Sequence, residues 1–475
     1  MEFQHLQDIN FFTTYQCNSR CVNCHIWKNQ EGGHGKTEMG KAELDRLAAD
    51  PLFSTCGGFG LAGGEPVISG FFWRLLDFLP VERHITITTN ALNHRRLADF
   101  LSAAQSRNRC LIQVSLDGIG PVNDSIRGVN GAYEKALALL NRLRELNVPR
   151  LISFTINRLN FNQLTDVYDL ASSLGARFSA RMAHCGGAYE NKDSRELFDF
   201  KPDELTALDR ALNAVIQTEM GKPGHRPASL VFLSKITDYY RGIQKDIPCR
   251  AMASGLVIDL YGDVFPNCPL MMQSLGNLHT QSLSDIWAGE KAQKARDRIR
   301  KFACGGCWND CQVVANIEAD TDFLHKEYTR LKTAFLAGRR MPDRIGFDEG
   351  GSDLLLSGWH GQEGREGFRY RWTGPDFSIL VPQGTAGLEI FAGPAPGPGP
   401  ILETRMEGHP PYHAAFQSDT WERHRILFEK PVETLTACIF KLDRSYCPLE
   451  AGAGSDGRNL GIAVHSIEFL SSVEQ

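Results

Sequence analysis

Six short apolar runs lie between Ile9 and Met182, each separated from the next by enough chain for a helix. They are Ile9 to Tyr15, Gly58 to Ala62, His84 to Thr89, Leu111 to Leu116, Leu151 to Ile156 and Arg177 to Met182, with helical stretches such as Tyr133 to Leu146 between them. Parallel strands need long crossovers, usually helices, so this rhythm predicts an α/β fold with a parallel sheet and right-handed connections. In such folds chemistry collects at the C-terminal strand ends. Thr89, Asn90, Ser115, Asp117, Asn157 and Arg181 are therefore expected to face a pocket, strand termination or turn capping being the alternative for each.

Directly after the first run, Cys17, Cys21 and Cys24 stand in C-x3-C-x2-C spacing. Three thiolates in one short loop can wrap a cubane while leaving its fourth iron without a protein ligand, open to a substrate or cofactor. A zinc knuckle completed by His25 or His34 is the other chemistry this spacing supports. One strand and one helix later comes Gly63-Gly64-Glu65-Pro66, whose paired glycines permit close approach of the backbone to a ligand. The two motifs together resemble the radical S-adenosylmethionine (SAM) enzymes, with one departure: Asn23 stands where that family usually has an aromatic residue, and Trp27 follows shortly after.

The resemblance implies a partial (β/α)6 TIM-like barrel over residues 1–230, holding a [4Fe-4S] cluster and SAM. It further implies that Gly63, Gly64, Glu65 and Pro66 grip the SAM amino group, and that Ser115 and Asp117 contact its ribose and carboxylate. Arg127, before Gly128, is positioned by the same pattern to pair with the methionine carboxylate. Thr89, Asn90, Asn157 and Arg181 complete the expected cofactor-binding set.

A second cysteine group follows. Cys249 and Cys268 flank the strand-like Gly255 to Tyr261 and the turn Gly262-Asp263; Cys304, Cys307 and Cys311 lie close together farther on. The arrangement resembles the SPASM and twitch extensions of radical SAM enzymes, although five residues rather than four separate Gly262 from Cys268. It implies a small α+β domain at 231–340 with one auxiliary [4Fe-4S] cluster on Cys249, Cys268, Cys304 and Cys307, with Cys311 competing for the last place. A zinc ribbon would use the same thiolates. A fully ligated auxiliary cluster could accept an electron and make the net reaction an oxidation. Cys185, after the sixth run, suggests another outcome: a thiol facing the pocket would return a hydrogen atom to a substrate radical and make the enzyme an epimerase, whereas a buried Cys185 would be a small hydrophobe. His184 and Tyr189 are candidates for substrate contact.

Beyond the helical stretch Asp322 to Leu336 the chain changes character. A polar, glycine-rich linker is expected at 341–351, and short alternating runs over 352–475 predict an all-β sandwich. Its Gly358-Trp359, Phe368 to Gly374 and Asp456 to Gly461 weakly resemble sandwich modules of polysaccharide-biosynthesis proteins; Trp359, Trp372 and Trp421 would either stack on a sugar or fill the core. The chain's 475 residues, 42% apolar, suffice for two or three domains, and a net charge of −5 without a basic patch argues against nucleic acid. No run reaches membrane-spanning length, and the first strand starts too near Met1 for a signal peptide, so a cytoplasmic location is expected, with the clustered cysteines serving metals rather than disulfides. The expected activity is radical oxidation or epimerisation of a sugar, cyclitol or nucleotide-sugar, with electrons from a flavodoxin- or ferredoxin-type donor. Maturation of a ribosomal peptide and a non-catalytic glycan- or protein-binding scaffold are the competing readings.

Overall fold

The structure is a computed structural model that describes residues 6–28, 35–103, 109–184, 189, 191–222, 224–243, 247–268, 271–301, 307–339, 341–347, 351–365, 368–393, 399–416, 420–448, 451 and 456–471. Contacts divide the chain into two compact units, Met1–Asp320 and Thr321–Gln475.

The first unit is built on one sheet. Strands β1 (Asp8–Phe12), β2 (Gly58–Ala62), β3 (His84–Thr89), β4 (Cys110–Ser115), β5 (Arg150–Ile156) and β6 (Arg177–Met182) pair in sequence order, all parallel, with helices in the crossovers. On its other side β1 pairs in parallel with β7 (Gly255–Asp259), which forms an antiparallel meander with β8 (Asp263–Pro266) and β9 (Gly276–Asn277). The auxiliary region thus extends the barrel's own sheet.

Side-chain alternation sets what faces where. In β4, Cys110, Ile112 and Val114 are buried on one face, which puts Gln113 and Ser115 together on the other. The helix Ala132–Glu145 buries Ala136, Leu139, Leu140 and Leu143, a spacing that gives one apolar stripe. Phe11, Leu61, Phe71, Phe72, Leu75 and Phe154 are fully buried in this unit.

The second unit opens with the helix Thr321–Leu336 and is otherwise β. One antiparallel sheet orders β11 (Trp359–Arg365), β12 (Phe368–Thr373), β19 (Ala463–Leu470), β14 (Gly387–Gly393) and β17 (Glu422–Leu427), with β10 (Arg344–Gly346) also on β19; the other orders β13 (Asp376–Val381), β18 (Thr436–Leu442), β15 (Ile401–Met406) and β16 (His409–Ala415). Part of the stretch expected as a linker is therefore β10, which the long β19 recruits as a partner. Trp359 meets Phe347 and Phe377, and Trp421 meets Phe368, Tyr370 and Phe391. These half-buried rings are packed among other aromatics, as the core reading of them requires. Among the described residues, no helix is long and apolar enough to cross a membrane.

Candidate active site

The cysteine loop leaves β1 and is held from two sides. On one, Gly64 N–H donates to Thr14 O at 2.7 Å and Glu65 N–H to Gln16 O at 2.9 Å. A Cβ on Gly63 would lie 2.5 Å from Thr14 O and one on Gly64 1.9 Å from Gln16 O. The paired glycines are thus required by contact with the backbone that feeds the cysteines. On the other side, Arg20 N–H donates to Arg127 O at 2.9 Å and Val22 N–H to Ile126 O at 3.0 Å, and a Cβ on Gly128, at φ +63°, would meet Arg20 O at 2.5 Å.

Glu65 is fully buried, and burial pushes its carboxyl up to about 7 against the hydrogen bonds that pull it down, from Asn90 N–H at 2.7 Å, Thr89 Oγ1 at 2.7 Å and Val67 N–H at 3.4 Å. Its oxygens therefore staple the β3 end to this loop. Asn90 continues the connection: its Nδ2 donates to Asn18 Oδ1 at 2.8 Å and lies 3.8 Å from Cys17 Sγ.

Burial raises the Cys17 thiol to about 11 and the Cys24 thiol to about 12, and each feels Cys21. Arg127 Nη1 lies 3.8 Å from Cys21 Sγ. His25 does not join the thiols: its Nδ1 is 2.9 Å from Asp193 and 3.0 Å from Lys28, and its Nε2 is 3.3 Å from Ser194. His34, the alternative fourth ligand, lies outside the described residues. Among the described residues no three His, Cys, Asp or Glu side chains are placed to hold a single metal ion. Three thiols on one loop, each free to take a different iron, fit a cubane.

Beside the loop, at the C-terminal strand ends, lies a cavity of about 120 Å³. Cys24, Thr88, Gln113, Ser115, Asp117, Arg127, Ser153, Thr155, Arg181, His184, Tyr189 and Asn309 are among its lining residues. Arg127 Nη2 pairs with Asp117 Oδ2 at 2.9 Å, and the buried Arg127 Nε has no hydrogen-bond partner, so the guanidinium keeps donor capacity for a ligand. Asp117 Oδ1 accepts from Thr155 N–H at 2.8 Å, which fixes the carboxylate. Arg181 Nη2 pairs with Asp310 Oδ2 at 2.8 Å. Burial lowers His184 to about 4, so its imidazole is neutral at physiological pH, and its Nε2 is buried without a partner. The ion pair and the orphaned polar atoms of this lining suit the polar groups of a charged cofactor such as SAM.

Ser115, Asp117, Arg127 and Arg181 meet at the cavity, whereas three of the expected strand-end residues are absent from its lining. Thr89 points to the opposite face because alternation puts Thr88 inside; Asn90 holds the cysteine loop; Asn157 closes its own turn, its Oδ1 accepting from Leu159 N–H at 2.9 Å. Gly63 to Pro66 brace the cysteine loop outside this lining. Gln113, Ser153 and Thr155 were missed by the sequence reading, although polar residues alternating with Ile112, Val114 and Phe154 were a usable signal.

In the auxiliary region Cys249 is half-buried, Cys268 and Cys307 are buried, and Arg250 N–H donates to Asn316 Oδ1 at 3.0 Å, tying the Cys249 segment to the helix Asp310–Ala319. None of these three is in a disulfide, so the thiol-only donor set fits iron–sulfur ligation. Cys185 and Cys304 lie outside the described residues, as does the side chain of Cys311.

Comparison with known proteins adds the family. The radical SAM superfamily profile matches residues 11–171, and an iron–sulfur cluster-binding domain profile, SPASM, matches residues 249–312. The chain is 30% identical to the Fe-coproporphyrin III synthase of Methanosarcina barkeri, over 62% of this chain and 79% of that protein. It is 23% identical to the pre-heme d1 synthase of Dinoroseobacter shibae, over 62% and 77% of the two chains. With the sporulation killing factor maturation protein SkfB of Bacillus subtilis it shares 26% identity over 62% and 67%. No reported relative supports the resemblance of the second unit to polysaccharide-biosynthesis modules. With a braced cysteine loop beside a polar cavity, and these matches along both the barrel and the region after it, the chain belongs to the radical SAM superfamily as a SPASM-containing enzyme with a SAM-binding [4Fe-4S] cluster and an auxiliary iron–sulfur cluster.

Proposed function

We propose that this chain is an oxidising peptide maturase that takes a hydrogen atom from its substrate, with Cys17, Cys21 and Cys24 holding the SAM-binding cluster. The observation that carries the reading is the cysteine loop clamped beside a buried polar cavity at the strand ends. When bound, the first cluster supplies the electron that cleaves SAM to methionine and a 5′-deoxyadenosyl radical, and the auxiliary cluster supplies an acceptor for the electron left on an oxidised substrate. The chain's own residues bind and orient. Arg127, kept charged by Asp117 and Cys21 in spite of burial, takes the methionine carboxylate; Ser115 and Asp117 hold the ribose side; backbone around Gly63 and Gly64 receives the amino group. Arg181 and the neutral His184 line the part left for substrate, and the buried walls keep water from the radical. Cys249, Cys268 and Cys307, with Cys304 or Cys311, hold a single auxiliary cluster, and a flavodoxin- or ferredoxin-type protein donates the electron.

The peptide substrate is supported by the likeness to SkfB, named for maturation of a killing factor. A second reading, a tetrapyrrole substrate, is favoured by the 30% identity to Fe-coproporphyrin III synthase. None of the relatives reported above is named for a sugar, so the sugar-type substrate expected from the sequence has no support there. The test is anaerobic 5′-deoxyadenosine formation by reconstituted enzyme with SAM and dithionite, comparing host peptide fractions, iron coproporphyrin and nucleotide-sugars. Stimulation by the peptide fraction alone supports the maturase; stimulation by iron coproporphyrin alone replaces it with the second reading. Cys17→Ala, Cys21→Ala and Cys24→Ala should each abolish cleavage, whereas Cys268→Ala should leave cleavage uncoupled from product. Robust cleavage by Cys21→Ala would overturn the ligand assignment.

A further inference from the structure

The cysteine loop is tied to the auxiliary region on both of its flanks, and at one place. Before the loop, Tyr15 OH donates to Asp259 Oδ2 at 2.9 Å, and the Tyr15 ring stacks on Tyr261 with centroids 6.2 Å apart and planes 10° from parallel. After the loop, Lys36 Nζ pairs with Asp263 Oδ2 at 2.8 Å and lies 5.7 Å from the Tyr261 ring centroid, while Met39 N–H donates to Leu260 O at 2.8 Å. All these partners lie between Asp259, the last residue of β7, and Asp263, the first of β8.

That turn is itself fixed from within. Asp259 is 1% exposed, and its Oδ1 accepts from Tyr261 N–H at 3.0 Å and Asp263 N–H at 2.9 Å, closing the reversal around Gly262 at φ +77°. Asp263 Oδ1 then takes Ser274 Oγ at 3.2 Å and Asn277 Nδ2 at 3.1 Å, joining the turn to the segment that follows Cys268. A carboxylate so engaged has one oxygen for its own turn and one for Tyr15.

We propose that Tyr15 and Asp259 are positioning residues for the SAM-binding cluster: the β7–β8 turn of the auxiliary region sets the course of the chain into Cys17, so the geometry of the first cluster depends on the second cysteine region. The inference rests on Cys17, Cys21 and Cys24 being that cluster's ligands. Neither Tyr15 nor Asp259 is a ligand, and both act through the loop.

The test uses full-length, anaerobically reconstituted Tyr15→Phe and Asp259→Asn enzymes. Tyr15→Phe keeps the ring stack and the turn's own hydrogen bonds, so it removes the strut without removing the fold. The expected result is full iron content, an altered EPR signal of the reduced first cluster with a weakened response to SAM, and cleavage of SAM slowed about tenfold, the scale of a sub-ångström to ångström misplacement. Tyr15→Phe with a wild-type EPR response and cleavage within about twofold of wild type overturns the proposal, even if its melting temperature falls. Cys17→Ala, run beside it, separates the two ideas: failure of the ligand assignment leaves the SAM-responsive signal in Cys17→Ala, whereas failure of the positioning role leaves it unaltered in Tyr15→Phe.

Discussion

A carboxylic acid is costly to bury, and Glu65 is buried completely. Its carboxyl rises from the usual 4.5 to about 7, so the folded protein binds this proton more tightly than the unfolded chain does. The sign follows: the stabilisation is fully present below pH 4.5 and is lost as pH rises to about 7, an effect of about 3 kcal/mol. Glu65→Gln, which cannot ionise, should lack this loss. The stability of wild type relative to Glu65→Gln should therefore fall between pH 4.5 and 7 in denaturant titrations, and a pH-independent difference would refute the assignment. At this scale the sequence was legible where chemistry is local. The Cys17, Cys21 and Cys24 loop stands out by its spacing, and Gly63 to Pro66 stands out only by its place one strand and one helix after it. The reason for Gly63 and Gly64 was not, because the clash that forbids a side chain comes from Thr14 and Gln16, far off in sequence. Arg181 with Asp310 was equally invisible: its partners are brought together only by the fold.

Elements were legible where one of their faces is apolar. All six barrel strands and the helix Ala132–Glu145 follow from periodicity to within a few residues. Two edge strands, β16 and β11, did not follow. β16 lies at the edge of its sheet, carries Pro410 and Pro411 and is exposed at most positions; β11, also an edge, contains Gly361 and Gly364. A strand paired on one side only tolerates proline and needs no alternation, so its sequence looks like loop. The helix Pro121–Arg127 shows the reverse case, a short element whose end does more than its length suggests. Gly128 terminates it in the left-handed conformation and lets it lie on the cysteine loop at Arg20. Gly128→Ala should lose about 1–3 kcal/mol from backbone strain and the Arg20 clash together, and should retain less iron at the first cluster. Thermal melts and iron content check this, and a variant unchanged in both would contradict it.

For the whole molecule, the contact division at Asp320 precedes the compositional change near Gly338. The helix Thr321–Leu336 belongs to the second unit, and nothing in an amphipathic helix's composition announces which neighbours it packs against. Every residue placed at the candidate site lies within the first unit, so a chain ending at Asp320 should still cleave SAM after reconstitution. Loss of cleavage by a folded, iron-loaded truncation would show that the β unit contributes to the chemistry. The pairing of β1 with both β2 and β7 has a consequence for biosynthesis. A ribosome delivers β1 long before it delivers β7, so the nascent barrel must wait with one strand edge unpaired until most of the first unit has emerged. That interval is when the chain is most open to pairing with another copy of itself, and slowing synthesis between β6 and β7 would lengthen it.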